Sequence, residues 1–185
     1  DKVAGSLQSV YALLGRLRST LNRMYEHCDP YIFYHRVRPF LASFERIEYR
    51  GCDPLSRDYF GGSAAQSSLL QAIDAMFGVG HREDKARSYL QEMRNYMPRR
   101  HAAYIAQLES RPSLARSTRS HAGCHRALDA CIEALAEFRQ DHLKMVARYI
   151  MAQTSQAGPG HTGTGGTDPM IFLRQVTQDT RTPDQ

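Results

Sequence analysis

Cysteine is scarce. Cys28, Cys52, Cys124 and Cys131 are the only four in 185 residues, and no two stand in a short paired spacing. That excludes a disulfide framework or a zinc knuckle and fits a reducing compartment. Long apolar runs are lacking too: the most apolar helical stretches are broken by charges such as Arg16 and Arg18, so nothing is expected to span a membrane. A secretory n- and h-region is also missing, and a cytoplasmic location is the default expectation. There is no initiator methionine, and an amphipathic pattern begins almost at Asp1, so we expect a longer polypeptide that has been cut. Charge of one sign does not dominate. Lys and Arg number 24 against 19 Asp and Glu, a formal +5. Basic clusters occur at Arg99–Arg100–His101 and at Arg111, Arg116 and Arg119, without any nucleic-acid motif beside them. Such clusters are ordinarily solvated loop surface, and no nucleic-acid partner is expected. A surplus of arginine suits a site for small anions, but composition does not locate one.

The chain, 42% hydrophobic, is long enough to bury one core. Val3 to His27 reads as an amphipathic helix carrying Leu7, Val10, Leu14, Leu17, Leu21 and Met24 on one side. Asp29 can cap a second helix with Pro30 in its first turn, and Pro39 predicts a kink or an end near Arg38. Phe44 to Phe60 shows no clean period and reads as irregular. Further helices are predicted from the glycine turn at Gly61-Gly62 to about Phe77, over Arg82–Tyr96 and from Pro98 to Leu108, with a loop over Arg111–Ala122. The last long helix, Ala127 to Tyr149, places Leu128, Cys131, Leu135, Phe138, Val146 and Tyr149 on one stripe. His142 falls on that stripe. After it, Asp168-Pro169 starts a final helix with Ile171, Phe172 and Val176. With almost no strand signal and no internal repeat, the fold class is all-α, a helical bundle.

An imidazole on an apolar stripe is desolvated, so it needs a hydrogen-bond partner or a metal. A core histidine bonded to a carbonyl is the ordinary outcome. Three other stretches bear on the choice. In Phe33-Tyr34-His35-Arg36-Val37-Arg38, helical spacing sets Tyr34 and Arg38 one turn apart with Phe33 adjacent. An aromatic surface beside a guanidinium can hold a flat ring and a carboxylate, although Phe33 could equally be core and Arg38 surface. Gly61-Gly62-Ser63-Ala64-Ala65 lets backbone approach a ligand and offers helix-start N–H groups to an anion, or else Ser63 is simply an N-cap. Gly163-Thr164-Gly165-Gly166-Thr167-Asp168 lacks the lysine and preceding strand of a nucleotide loop. It can close over a small molecule or serve as a linker.

Together these stretches resemble the indoleamine 2,3-dioxygenase family, haem enzymes that open the indole ring of tryptophan. The resemblance runs over nearly the whole chain. It is carried by Asp29-Pro30, Val37-Arg38, Gly61-Gly62-Ser63-Ala64 with Gln66-Ser67-Ser68, Met93-Arg94 with Tyr96-Met97-Pro98, Phe138-Arg139 with His142, Arg148-Tyr149-Ile150 and Gly163 to Asp168, in matching order and spacing. It implies that His142 is the proximal ligand of haem b, with Nδ1–H given to a carbonyl, Phe138's being one candidate, or to water. It implies Phe33 against the indole, Tyr34 lining the pocket, Arg38 pairing with the substrate carboxylate and Thr164 on a closing loop. Ser63 and Ala64 would lie at the haem edge, with Arg139 as a propionate-side contact and Asp74 near it. O2 would be the co-substrate, and no residue is assigned as general acid or base. The chain would be most of the large haem-binding domain. The family's small N-terminal domain and part of its distal wall have no counterpart here, so a preceding segment or a second chain is expected to complete the pocket.

Three functions follow as expectations. The first is cleavage of the C2–C3 bond of L-tryptophan or a related indole by O2, giving N-formylkynurenine. The second is a haem protein of the same fold that oxidises another tryptophan-derived indole or only binds O2. The third, from a different class, is a cofactor-free helical interaction module.

Overall fold

A computed structural model of the chain describes residues 2–81, 84–154 and 168–183. The core is the seam between α1 (Lys2–Asn22) and α8 (Ala122–Val146). The two helices run parallel: Leu7 meets Cys131, Arg18 meets Glu137 and Asp141, and Met24 meets Tyr149 just beyond α8. Leu7 and Leu14 pack with Leu128, Cys131, Leu135 and Phe138, all buried as the 3.6-residue stripe requires. Each such side chain removed from water contributes roughly 1.5–3 kcal/mol. The Cys131 thiol donates to the Leu7 carbonyl at 3.2 Å, which satisfies a polar group inside this seam.

After a short α2 (Met24–His27), the Asp29 side chain accepts the Ile32 N–H at 3.0 Å and Pro30 opens α3 (Pro30–Ile32). The helix then loosens into a π turn over Phe33–Val37 and tightens into a 3-10 turn over Arg38–Leu41. Pro39 is the cause: it has no N–H to donate, and its ring clashes with the carbonyl one turn back. The expected end near Arg38 is found.

Phe44 to Phe60 departs from the sequence reading. It forms an antiparallel hairpin, β1 (Phe44–Glu48) with β2 (Ser56–Tyr59), turning at Gly51, whose φ of 78° is left-handed. Nearly every residue of both strands is exposed, so no apolar alternation marked them. A register shift between Phe44 and Ile47, with Arg46 at φ 53°, broke the period further.

The helix expected from Gly61-Gly62 onward is two pieces. A 3-10 turn, Ala64–Gln66, precedes α4 (Ser68–Phe77), which Ser67 caps and which stops at left-handed Gly78. Then come α5 (Asp84–Met93) with a 3-10 turn at Arg94–Tyr96, and α6 (Arg99–Glu109) behind Pro98. The stretch expected as a loop contains α7 (Leu114–Ser117), capped by Ser113. Beyond α8 a π turn, Ala147–Met151, leads into α9 (Ala152–Thr154). α10 (Pro169–Thr180) starts as expected, with the Asp168 carboxylate accepting the Met170 and Ile171 N–H groups. The fold is all-α with one added hairpin, and among the described residues no helix is long and apolar enough to cross a membrane.

Candidate functional site

α8 delivers His142 to a cavity of about 290 Å³. Other described segments meet it there, the π turn beyond α8 supplying Ile150. The π and 3-10 turns after α3 bring Phe33, Arg38 and Leu41; the glycine turn brings Gly62 to Ala65; α5 brings Tyr89; α10 brings Pro169, Phe172 and Leu173. The described walls are therefore mainly apolar and aromatic, with the Arg38 guanidinium and the hydroxyls of Ser63 and Tyr89.

His142 is half-buried, and no described residue hydrogen-bonds its ring; Phe138 lies beside it at 6.5 Å between ring centres. The hydrogen bond considered between Nδ1 and the Phe138 carbonyl is not formed. Burial, and secondarily the positive charge of Arg139, push the imidazole below its ordinary pKa. The ring is thus neutral near pH 7, with a lone pair available to a metal. Among the described residues no cluster of three or more acidic, histidine or cysteine side chains could hold an ion by itself, so a metal here would have to arrive with other ligands of its own.

The cavity's other walls are braced from behind. Phe33 meets Tyr149 edge-on at 5.7 Å, and the Tyr149 hydroxyl donates to the carbonyls of Cys28 at 2.6 Å and Met24 at 3.1 Å. Tyr34 does not line the cavity. It lies under Arg38, whose guanidinium carbon is 5.2 Å from the ring centre, so its contact with the site passes through Arg38. Ser63 is both a wall residue and an N-cap: its Oγ accepts the Ala65 N–H at 3.3 Å and the Tyr89 hydroxyl at 3.0 Å. Gln66 closes a capping box by accepting the Ser63 N–H. The N–H groups of Gly61, Ser63, Ala65 and Gln66 are consequently spent inside the protein, which weakens this turn as a general anion site.

Arg139 and Asp74 come together, but not at this cavity. Both are buried, and the Arg139 guanidinium grips the Asp74 carboxylate at 2.7 Å while also donating to Thr180. His81, which the sequence reading did not single out, completes the cluster. Its Nδ1 is 3.2 Å from Asp179 and its Nε2 is 3.4 Å from Asp74. Tyr89 and Phe172, packed edge-on at 5.2 Å, were also missed as site residues. Their helical stripes mark them as inward, but nothing in spacing says which inward residues face a void. Thr164 lies outside the described residues.

Residues 1–183 match the family model for indoleamine 2,3-dioxygenase. The chain belongs to the indoleamine 2,3-dioxygenase family. It is 34% identical over 197 residues to indoleamine 2,3-dioxygenase 2 of Homo sapiens, a match covering 95% of this chain and 48% of that protein. It is 32% identical over 226 residues to indoleamine 2,3-dioxygenase of Saccharomyces cerevisiae, covering 96% and 50%. A protein of Haliotis madaka named myoglobin is 32% identical over 199 residues, covering 100% and 52%. The chain thus spans about half the length of the curated relatives it matches. Family membership covers both the His142 cavity and the buried Arg139–Asp74 pair.

Proposed function

We propose that this chain is the haem-holding part of a dioxygenase that cleaves the C2–C3 bond of L-tryptophan or a related indole with O2, yielding N-formylkynurenine. The observation that carries the reading is His142: a neutral imidazole facing a mainly apolar cavity, with no protein group bonded to it among the described residues. That donor set fits haem b, whose iron takes a neutral histidine as its axial ligand in many proteins. When bound, haem supplies the chemistry on O2, and the chain's residues supply position. Arg38 pairs with the carboxylate of the amino acid, and Phe33 presents a ring face or edge to the indole. Tyr34 acts through Arg38, holding the guanidinium by its ring. Ser63 and Ala64 would border the haem where they line the cavity, and Thr164 remains a proposed substrate contact. Arg139 and Asp74 spend their charge on each other and contribute by fixing α8 against α4. None of these groups is assigned a proton-transfer step.

A second reading, haem binding without turnover, is raised by the relative named myoglobin. The two readings separate on a turnover assay with tryptophan, 7-chlorotryptophan and free indole. The haem assignment is tested by the visible spectrum. The wild-type chain should show a Soret band that His142→Ala loses, whereas an unchanged band in the variant overturns the ligand role. Arg38→Ala should keep the band and raise KM for tryptophan.

A further inference from the structure

A second cavity, of about 910 Å³, shares no lining residue with the His142 cavity. Its floor is the end of α4, with Asp74 and the backbone of Gly78 to Gly80. One wall is α5, bearing Arg87 and Arg94; the other is the segment from Glu109 to Arg119, bearing Arg111, Arg116 and Arg119. The two carboxylates that line it are already matched. Asp74 is gripped by Arg139 at 2.7 Å, and Glu109 by Arg94 at 2.6 and 2.9 Å. Arg87, Arg111, Arg116 and Arg119 have no carboxylate partner among the described residues. Two walls of one cavity therefore bring to its lining four guanidinium groups that no described carboxylate pairs.

This wall is built rather than loose. Ser113 packs directly on the end of α4, where a Cβ on Gly78 would come within 2.6 Å of its Oγ. The same Oγ caps α7 by accepting the Arg116 N–H at 3.3 Å, and Ala115 and Thr118 are buried beneath the turn. The arginine-bearing segment is thus fixed to the cavity floor at its centre.

We propose that this cavity binds a small molecule carrying two or more phosphate groups. Guanidinium forks match phosphate oxygens in pairs, and four of them exceed what one carboxylate requires. Among the described residues the lining holds no Phe, Tyr or Trp, and its one ring, His81, is already engaged with Asp179, so the ligand is recognised through its anionic groups rather than by stacking a ring. The cavity also lies within the roughly 300–1,000 Å³ range of small-ligand sites, which favours a compact anion over an acidic peptide.

The test is isothermal titration of the full chain with inorganic pyrophosphate and triphosphate. Controls are sodium chloride at matched ionic strength and a glutamate-rich peptide. Saturable binding of the phosphates is expected, and the double variant Arg111→Ala/Arg116→Ala should weaken it by about 10-fold or more. Arg23→Ala, an exposed arginine elsewhere, should leave affinity unchanged. Because Arg111 and Arg116 are exposed, the double variant should unfold at the wild-type temperature; if it does not, Arg87→Ala alone serves as the binding variant. The proposal is overturned by any of three results: heat no larger than matched salt gives, equal weakening by Arg23→Ala, or binding of the peptide but neither phosphate.

Discussion

Arg139 on α8 holds Asp74 on α4 through a single nitrogen, Nη2, which lies 2.8 and 2.7 Å from the two carboxylate oxygens. Its Nη1 donates to Thr180 on α10, so one guanidinium joins three helices. Both partners are buried, and a buried ion pair is costly to break because the survivor keeps an unpaired charge away from water. Asp74→Asn should therefore cost about 3–5 kcal/mol in urea unfolding. The double variant Asp74→Asn/Arg139→Met removes the stranded charge and should be more stable than Asp74→Asn alone. A single-variant loss below about 1 kcal/mol would show that the pair is not what holds α4 to α8.

The same carboxylate sets an acid limit. Burial by itself would raise its pKa, but the Arg139 charge, with the Arg139 hydrogen bonds and the nearby His81 ring, outweighs it, and the net shift is downward. With the folded value below the unfolded one, acid protonates the unfolded chain first. The contribution is fully present above about pH 4, the ordinary carboxylate value, and is lost as pH falls through the folded value. Urea midpoints between pH 6 and pH 2.5 should fall for the wild type and fall less steeply below pH 4 for Asp74→Asn. Parallel curves would contradict the assignment.

The long seam was legible because periodicity reports burial. Leu128, Cys131, Leu135, Phe138, Val146 and Tyr149 are all inside, and the proline and aspartate starts of α3 and α10 fall where cap chemistry puts them. His142 stood out for the same reason, a polar group on an apolar stripe. The hairpin was illegible because exposed strands carry no burial pattern. The family resemblance set Asp74 near Arg139, and the two do pair; no local spacing could show that the pair is buried away from the His142 cavity, because the partners are 65 positions apart. Tyr34 and Arg38 did come together, while the turn that loosens before Pro39 left only Arg38 on the cavity.

Tyr149 shows how the Phe33 wall is held. Its hydroxyl reaches two carbonyls, of which Met24's already accepts the Cys28 N–H, so Cys28's depends on it more. Tyr149→Phe should cost about 1–3 kcal/mol while keeping the edge contact with Phe33. Tyr149→Leu loses that contact and the one with Tyr25 at 5.8 Å, and should cost more. Denaturant melts of both variants rank the hydroxyl against the ring. If Phe and Leu cost the same, the ring contacts contribute nothing to this wall.

Gly78 ties stability to the arginine-lined cavity. Its φ of 85° is left-handed, where a Cβ is strained by about 1–3 kcal/mol. Alanine there would also meet Ser113 Oγ at 2.6 Å, so the turn bearing Arg116 must move or α4 must fray. Gly78→Ala should lower the melting temperature and weaken pyrophosphate binding together. His142 lies in the other cavity, so the absorption spectrum of the variant should match wild type at temperatures where it remains folded. Ser113→Gly in the same chain relieves the contact but removes the α7 cap. It should therefore restore only part of the lost stability, and full restoration would mean that the left-handed backbone costs nothing at this position.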